Sequence, residues 1–138
     1  TGYTLQLEPT DIVDIETLVR ACGIKHVIKV NPNDMGKMRD AFKKAMSFSE
    51  PSVIITRWPC ALKKFSKEDK QEFKNLFTEK YRVDGEMCIG CKQCTRTGCP
   101  AISFSNKYKV SKISKDQCVG CGVCQQVCPA QAIGKVER

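Results

Sequence analysis

Eight cysteines fall in two runs between residues 88 and 128, Cys88-x2-Cys91-x2-Cys94-x4-Cys99-Pro100 and Cys118-x2-Cys121-x2-Cys124-x3-Cys128-Pro129. Three thiolates spaced this tightly can hold three corners of an iron–sulfur cubane, while the fourth of each run lies too far along the chain and crosses to the other cubane. The spacing therefore calls for two 4Fe-4S clusters. One is expected on Cys88, Cys91, Cys94 and Cys128, the other on Cys118, Cys121, Cys124 and Cys99. The middle member of each triplet is Cys rather than Asp, so no three-iron cluster is expected. Structural zinc prefers two separated Cys pairs, or pairs completed by His, and does not use triplets closed by Cys-Pro. Disulfides belong to oxidising compartments, and no secretory signal opens this chain.

The first run departs from the regular spacing by one residue, and Gly98 can absorb the extra length by adopting a positive φ. Gly90, Gly120 and Gly122 would let backbone N–H groups approach cluster sulfurs. Ile89, Ile102, Val119, Val123, Val127 and Ile133 would form an apolar shell that limits water. The two runs belong to an internal repeat, with "VDGEMCIGCKQCTRTGCPAI" from Val83 lying over "ISKDQCVGCGVCQQVCPAQAI" from Ile113. Two short units that each lack a core pair around a shared interior, which here would be inorganic. Two one-electron sites so close together should exchange electrons rapidly.

The elements before this repeat follow another logic. Asp11 to Ala21 reads as a helix with Ile12, Ile15, Leu18 and Val19 on one buried face and Gly23 as its stop. His26 to Val30 reads as a strand closed by Asn31-Pro32. Asp34 caps a second helix running to about Ser47, with Met38, Phe42, Ala45 and Met46 on one side, and Ser52 to Thr56 is a second, apolar strand of the kind buried in parallel sheets. Helix, strand, helix, strand is a piece of an α/β fold, too small to complete the sheet its strands require. Ala61 to Tyr81 is charged and reads as a connecting helix, with Ser66 as cap and Phe73, Leu76 and Phe77 as a narrow apolar side. The expected organisation is α+β: an α/β fragment (1–60), a helical linker (61–82) and a dicluster domain (83–138). The chain opens at Thr1 without an initiator Met, as a piece of a longer protein would.

The remaining reactive types have ordinary readings. His26 opens an apolar strand and is expected to pack, while Cys22 and Cys60 have no partner at ligand spacing and read as buried reduced thiols. Trp58 reads as packing. No residue is expected to be catalytic. The formal charge of +8 falls to about +4 once eight thiolates and two oxidised cubanes are counted. The excess is uneven, with seven basic and four acidic residues in Lys63 to Arg82, against eight and seven in Thr1 to Cys60. A nucleic-acid binder would interleave aromatics with such charge, and none is expected here. No apolar run approaches the roughly 20 residues of a membrane span, and a cytoplasmic setting is expected.

The strings "TGYTLQLEPTDIVDIETLVRACGIKHVIKVNPND" and "PSVIITRWPCAL", with the four-residue gap before Cys99, resemble the C-terminal portion of the large subunit of indolepyruvate:ferredoxin oxidoreductases. That resemblance runs nearly end to end. It implies that residues 1–60 are the tail of a thiamine-diphosphate-binding domain and that residues 83–138 are a bacterial-type 2×(4Fe-4S) ferredoxin-like domain. It further implies an enzyme that decarboxylates arylpyruvates with coenzyme A to acyl-CoA while reducing an external ferredoxin, with a smaller β subunit and an upstream thiamine domain as partners. The family's Gly-Asp-Gly stretch, which holds the diphosphate and magnesium, has no counterpart here. No thiamine-binding residue is therefore carried over, and the chain alone is not expected to decarboxylate. The competing expectation is a self-standing dicluster electron carrier with an N-terminal docking domain.

Overall fold

A computed structural model describes all residues except 1, 3, 7, 62–64, 66, 74–78, 137 and 138. The chain divides into two compact units, Thr1–Arg57 and Trp58–Arg138.

In the first unit the strands β1 (His26–Val30) and β2 (Ser52–Thr56) pair in parallel, His26 opposite Ser52 and Val30 opposite Thr56. Parallel neighbours need a crossover, and α2 (Met35–Met46) supplies it. Asp34 caps α2 by accepting the Lys37 N–H at 2.9 Å. The first helix, α1 (Ile15–Ala21), starts later than the expected Asp11. The Asp14 carboxylate takes the cap position, accepting the Glu16 N–H at 3.1 Å and the Thr17 hydroxyl at 2.6 Å, which holds the preceding residues outside the helix.

The buried face expected of α1 needs correction, and the apolar side of α2 is covered only in part. No residue of α1 is buried, and Ile12, Ile15 and Leu18 are 78%, 58% and 54% exposed. On α2 only Ala41 is buried, whereas Phe42 and Met46 face outward. A sheet two strands wide covers only part of each apolar stripe. His26 stacks on Phe48 with ring centroids 3.8 Å apart and lies 3.3 Å from the Glu50 carboxylate, in keeping with a packing role. Cys22 and Cys60 are exposed rather than buried.

In the second unit the linker helix is shorter than expected, α3 (Lys67–Glu72), and the chain bends at Phe73, which meets Trp58 edge to face at 5.3 Å. The cap assigned to Ser66 and the apolar positions Leu76 and Phe77 lie outside the described residues. Beyond it, β3 (Tyr81–Val83) pairs antiparallel with β6 (Ile133–Lys135), and β4 (Ile102–Ser105) forms a hairpin with β5 (Val110–Ile113). The chain's first and last strands of this domain thus lie side by side. The Glu79–Lys135 ion pair and a Val136 N–H to Lys80 carbonyl bond of 2.8 Å reinforce that closure.

The repeat is visible in the backbone. Asp84 N–H donates to the Ala132 carbonyl at 2.7 Å, and Ser114 N–H donates to the Ala101 carbonyl at 2.8 Å, so each repeat's first turn is pinned to the other's last segment. The two acceptor alanines are 2% and 3% exposed because the crossing leaves no room for a longer side chain. Among the described residues no large side chain is fully buried, and three of the six residues at the core's centre are cysteines: Cys94, Cys118 and Cys124. So small an apolar core cannot hold the domain by burial alone.

Candidate metal centre

Each cysteine triplet occupies a turn whose backbone is bent into the left-handed region. In the first, Gly90 has φ 65° and Lys92 φ 59°; in the second, Gly120 has φ 81° and Gly122 φ 74°. Lys92 and Gly122 stand at the same position of the repeat. A side chain in that region costs about 1–2 kcal/mol, so the fold keeps Lys92 there against its own preference. Glycine at 90 is required by contact as well, since a Cβ would lie 2.6 Å from the Lys109 carbonyl oxygen. Gly98 ends the short 3-10 turn Thr95–Thr97 at φ 71° and takes up the extra residue before Cys99.

A matching adjustment follows Cys128, where the second repeat carries its own additional length. Gln131, at φ 52°, returns the chain to Ala132 after its N–H has closed a turn on the Cys128 carbonyl at 3.2 Å. Sequence reasoning passed over this compensation. The signal was present in the longer "CPAQAI" against "CPAI".

The eight cysteines line two separate cavities. Cys88, Cys91, Cys94 and Cys128 border one, together with Val83, Ile89, Ala132 and Ile133. Cys99, Cys118, Cys121 and Cys124 border the other, a space of about 250 Å³ walled by Tyr81, Ile102, Ile113, Val119 and Val123. Among the described residues no three Cys, His, Asp or Glu side chains converge closely enough to grip a single ion. Four sulfurs spread around a void are instead the geometry of a multi-atom group. The donor set fits a cubane at both places: four thiols, apolar walls and no carboxylate. The first cavity is the more tightly closed, at about 10 Å³. The loop that bounds it carries Ile89, 69% exposed. Ile89 thus borders the cavity while remaining largely exposed, whereas Ile133, 2% exposed, is the most buried of the apolar residues expected around the clusters.

Burial of the second group shows in its electrostatics. Desolvation pushes the Cys124 thiol up to about 11, and the negative charges of Cys121, Cys118 and Cys99 add to the effect. Such a thiol does not ionise by itself near neutrality; the drive comes from iron binding, which is coupled to proton release. Burial likewise raises the Tyr81 phenol, whose hydroxyl oxygen lies 2.8 Å from where a Cβ on Gly122 would be. The Lys80 ammonium donates to the Cys118 carbonyl and brings a positive charge to the same side. Around the first group the main polar contact is buried Ser111, 3% exposed, whose Oγ is 3.2 Å from Cys94 Sγ. Neither Tyr81 nor Ser111 was expected from the sequence, because a tyrosine in a charged stretch and a serine in a strand carry no signature.

Known proteins place this geometry. The family described as "4Fe-4S dicluster domain" matches residues 81–134. The "Indolepyruvate oxidoreductase subunit IorA" of Archaeoglobus fulgidus is 38% identical over 96% of this chain, and that of Pyrococcus horikoshii is 37% identical over 90%. The chain spans about a fifth of the length of either, 20% and 19%. Ferredoxin I of Desulfovibrio africanus, known from its crystal structure, aligns over 44% of this chain and all of its own at 19% identity with a TM-score of 0.39. Residues 81–134 are thus a 4Fe-4S dicluster domain with two clusters, on a chain that is a relative of the IorA subunits along nearly its whole length.

Proposed function

We propose that this chain is the electron-transfer part of an indolepyruvate:ferredoxin oxidoreductase, and that Cys88, Cys91, Cys94 and Cys128 ligate one cluster while Cys118, Cys121, Cys124 and Cys99 ligate the other. The observation that carries the reading is the lining of each cavity by four cysteines, three from one repeat and the fourth from the other. When bound, the cubanes accept and release single electrons, which suits a two-electron oxidation feeding one-electron acceptors. The protein's own task is positional. Apolar walls limit water, the bent turns bring backbone N–H groups close to sulfur, and the crossing of Cys99 and Cys128 keeps the two sites near each other.

Residues 1–60 are read as the tail of a thiamine-diphosphate-binding domain, supported by the parallel β-α-β arrangement and the exposed apolar residues of both helices. In this reading the remainder of that domain and a smaller subunit are the partners, the setting is cytoplasmic, and an external ferredoxin takes the electrons. Similarity to IorA continues through residues 1–60 and not only through the cysteines, which disfavours a self-standing carrier. The test is anaerobic iron and acid-labile sulfide per chain, with an EPR spectrum after reduction. About eight of each, with two interacting reduced centres, is the expected result. Zinc without sulfide would overturn the reading. Supplied with thiamine diphosphate, indolepyruvate and an electron acceptor, the chain by itself is expected to show no turnover.

A further inference from the structure

Residues 88 to 113 contain five basic side chains, Lys92, Arg96, Lys107, Lys109 and Lys112, and no acidic one. The stretch Lys63 to Arg82 has two more basic residues but dilutes them with four acidic ones, and beyond residue 113 the signs alternate. The longest stretch of the chain without an acidic side chain, residues 87–115, therefore accompanies the first cysteine group rather than the linker.

The fold gathers this charge onto one face. The β4–β5 hairpin lies against the first cysteine turn: the Lys109 carbonyl and the Phe104 ring edge are 2.6 and 3.8 Å from where a Cβ on Gly90 would stand. Lys92, which borders the first cavity, holds its ammonium 4.3 Å from the Phe104 ring centre. At the hairpin tip Lys107 and Lys112 both reach over the Tyr108 ring, at 5.2 and 5.5 Å. These contacts hold the ammonium groups in place while leaving them in solvent. The same hairpin and the start of the cysteine turn also carry exposed Tyr108 (61%), Ile89 (69%) and, just before it, Met87 (50%), the aromatic and apolar types that anchor protein interfaces. Cys91, in the same turn, is exposed, whereas Cys118 and Cys124 of the other group are buried.

We propose that this face, made by the β4–β5 hairpin and the turn Cys88–Cys94, docks an acidic one-electron-accepting protein, so that electrons leave the chain through the first cysteine group. The inference rests on the electron-transfer reading above and adds the exit side and the docking surface. In each encounter one electron passes to the acceptor, which is reduced by one; no bond is made or broken and no proton moves. The lysines draw the acidic partner in, and the exposed Cys91 turn gives it the shortest approach.

The test uses the cluster-loaded chain, reduced anaerobically with dithionite and mixed in stopped flow with a strongly acidic [2Fe-2S] ferredoxin, with basic cytochrome c or with methyl viologen. For the double variant Lys107→Glu/Lys112→Glu, the second-order rate to the acidic ferredoxin is expected to fall at least tenfold at low ionic strength. Its salt dependence should flatten, while iron content and the rate to cytochrome c hold or rise. The comparison variant Lys67→Glu/Lys70→Glu, on α3, should change little. Loss of rate in the α3 variant alone, or in neither variant, would overturn the docking face while leaving electron transfer intact, and the second result would mean that the lysines merely offset the cluster's own charge. A wild-type chain with eight iron that reduces none of the three acceptors would overturn the electron-transfer reading, and the docking face with it.

Discussion

Ser111→Ala should lower the reduction potential of one cluster and leave the other where it is. Ser111 is buried in β5, and its Oγ lies 3.2 Å from Cys94 Sγ. With a free thiol the S–H is the donor, but a sulfur that ligates iron has no proton, so the serine O–H must donate in its place. That bond strengthens as the cluster gains an electron and its sulfurs become more negative, which favours the reduced state. Hydrogen bonds to charged acceptors contribute about 1.5–3 kcal/mol, but only the difference between the two oxidation states enters the potential, on the order of 1 kcal/mol. A tenfold change in a one-electron equilibrium is about 59 mV, or about 1.4 kcal/mol, so removing the hydroxyl should make that centre harder to reduce by roughly 40 mV. The assay is an EPR-monitored redox titration of wild type and variant, each first shown to carry about eight iron. An unchanged or higher potential, or equal shifts at both centres, would refute the argument, since neither follows from a single lost donor at Cys94.

Two further substitutions separate backbone strain from crowding. Gly90→Ala adds a side chain at φ 65° and drives it into the Lys109 carbonyl, backbone that cannot step aside, so it should destabilise the first turn by about 2–3 kcal/mol and drop iron from about eight towards four. Gly122→Ala carries the same φ penalty but meets the end of the Tyr81 side chain, which can move; its loss should be about 1–2 kcal/mol in thermal denaturation with both clusters retained. Chelating the iron should unfold the domain rather than leave an empty one, because three of its six core residues are cysteines proposed to ligate the clusters. Hydrogen exchange would show this as lost protection of the Asp84 and Ser114 amides, which bridge the repeats.

What could be read from the sequence was what neighbouring residues decide among themselves. Strand β1, helix α2 with its Asp34 cap and strand β2 all lie where local pattern puts them, since a capping carboxylate and an Asn-Pro turn act within a few residues. The positive φ of Gly98 is similarly local, because a tight turn with one residue too many has few other conformations. Burial was a poorer guess. Ile12, Ile15, Leu18, Phe42 and Met46 carry the periodicity of covered faces, but periodicity states which side wants cover and not whether anything supplies it. The pairing of β3 with β6 was likewise out of reach, as three-residue strands some fifty positions apart leave no mark on either segment.

Around the cysteines the same division holds, with a consequence for how the domain works. Spacing alone groups the eight residues into the two sets that line the two cavities, because reach along a short turn is a matter of covalent geometry. It says nothing of what lies behind each set, and there the repeats part company. The first has Ser111 at a sulfur, an exposed Cys91 and a lysine-bearing hairpin against its turn; the second has Tyr81 over Gly122, buried Cys118 and Cys124, and the Lys80 ammonium at the Cys118 carbonyl. Cluster potentials depend on hydrogen bonds to sulfur, nearby charge and solvent exposure, and all three differ between the sites. Two like sequence units have therefore become two unlike environments, and the difference originates in the strands and hairpin that pack against the turns rather than in the cysteines.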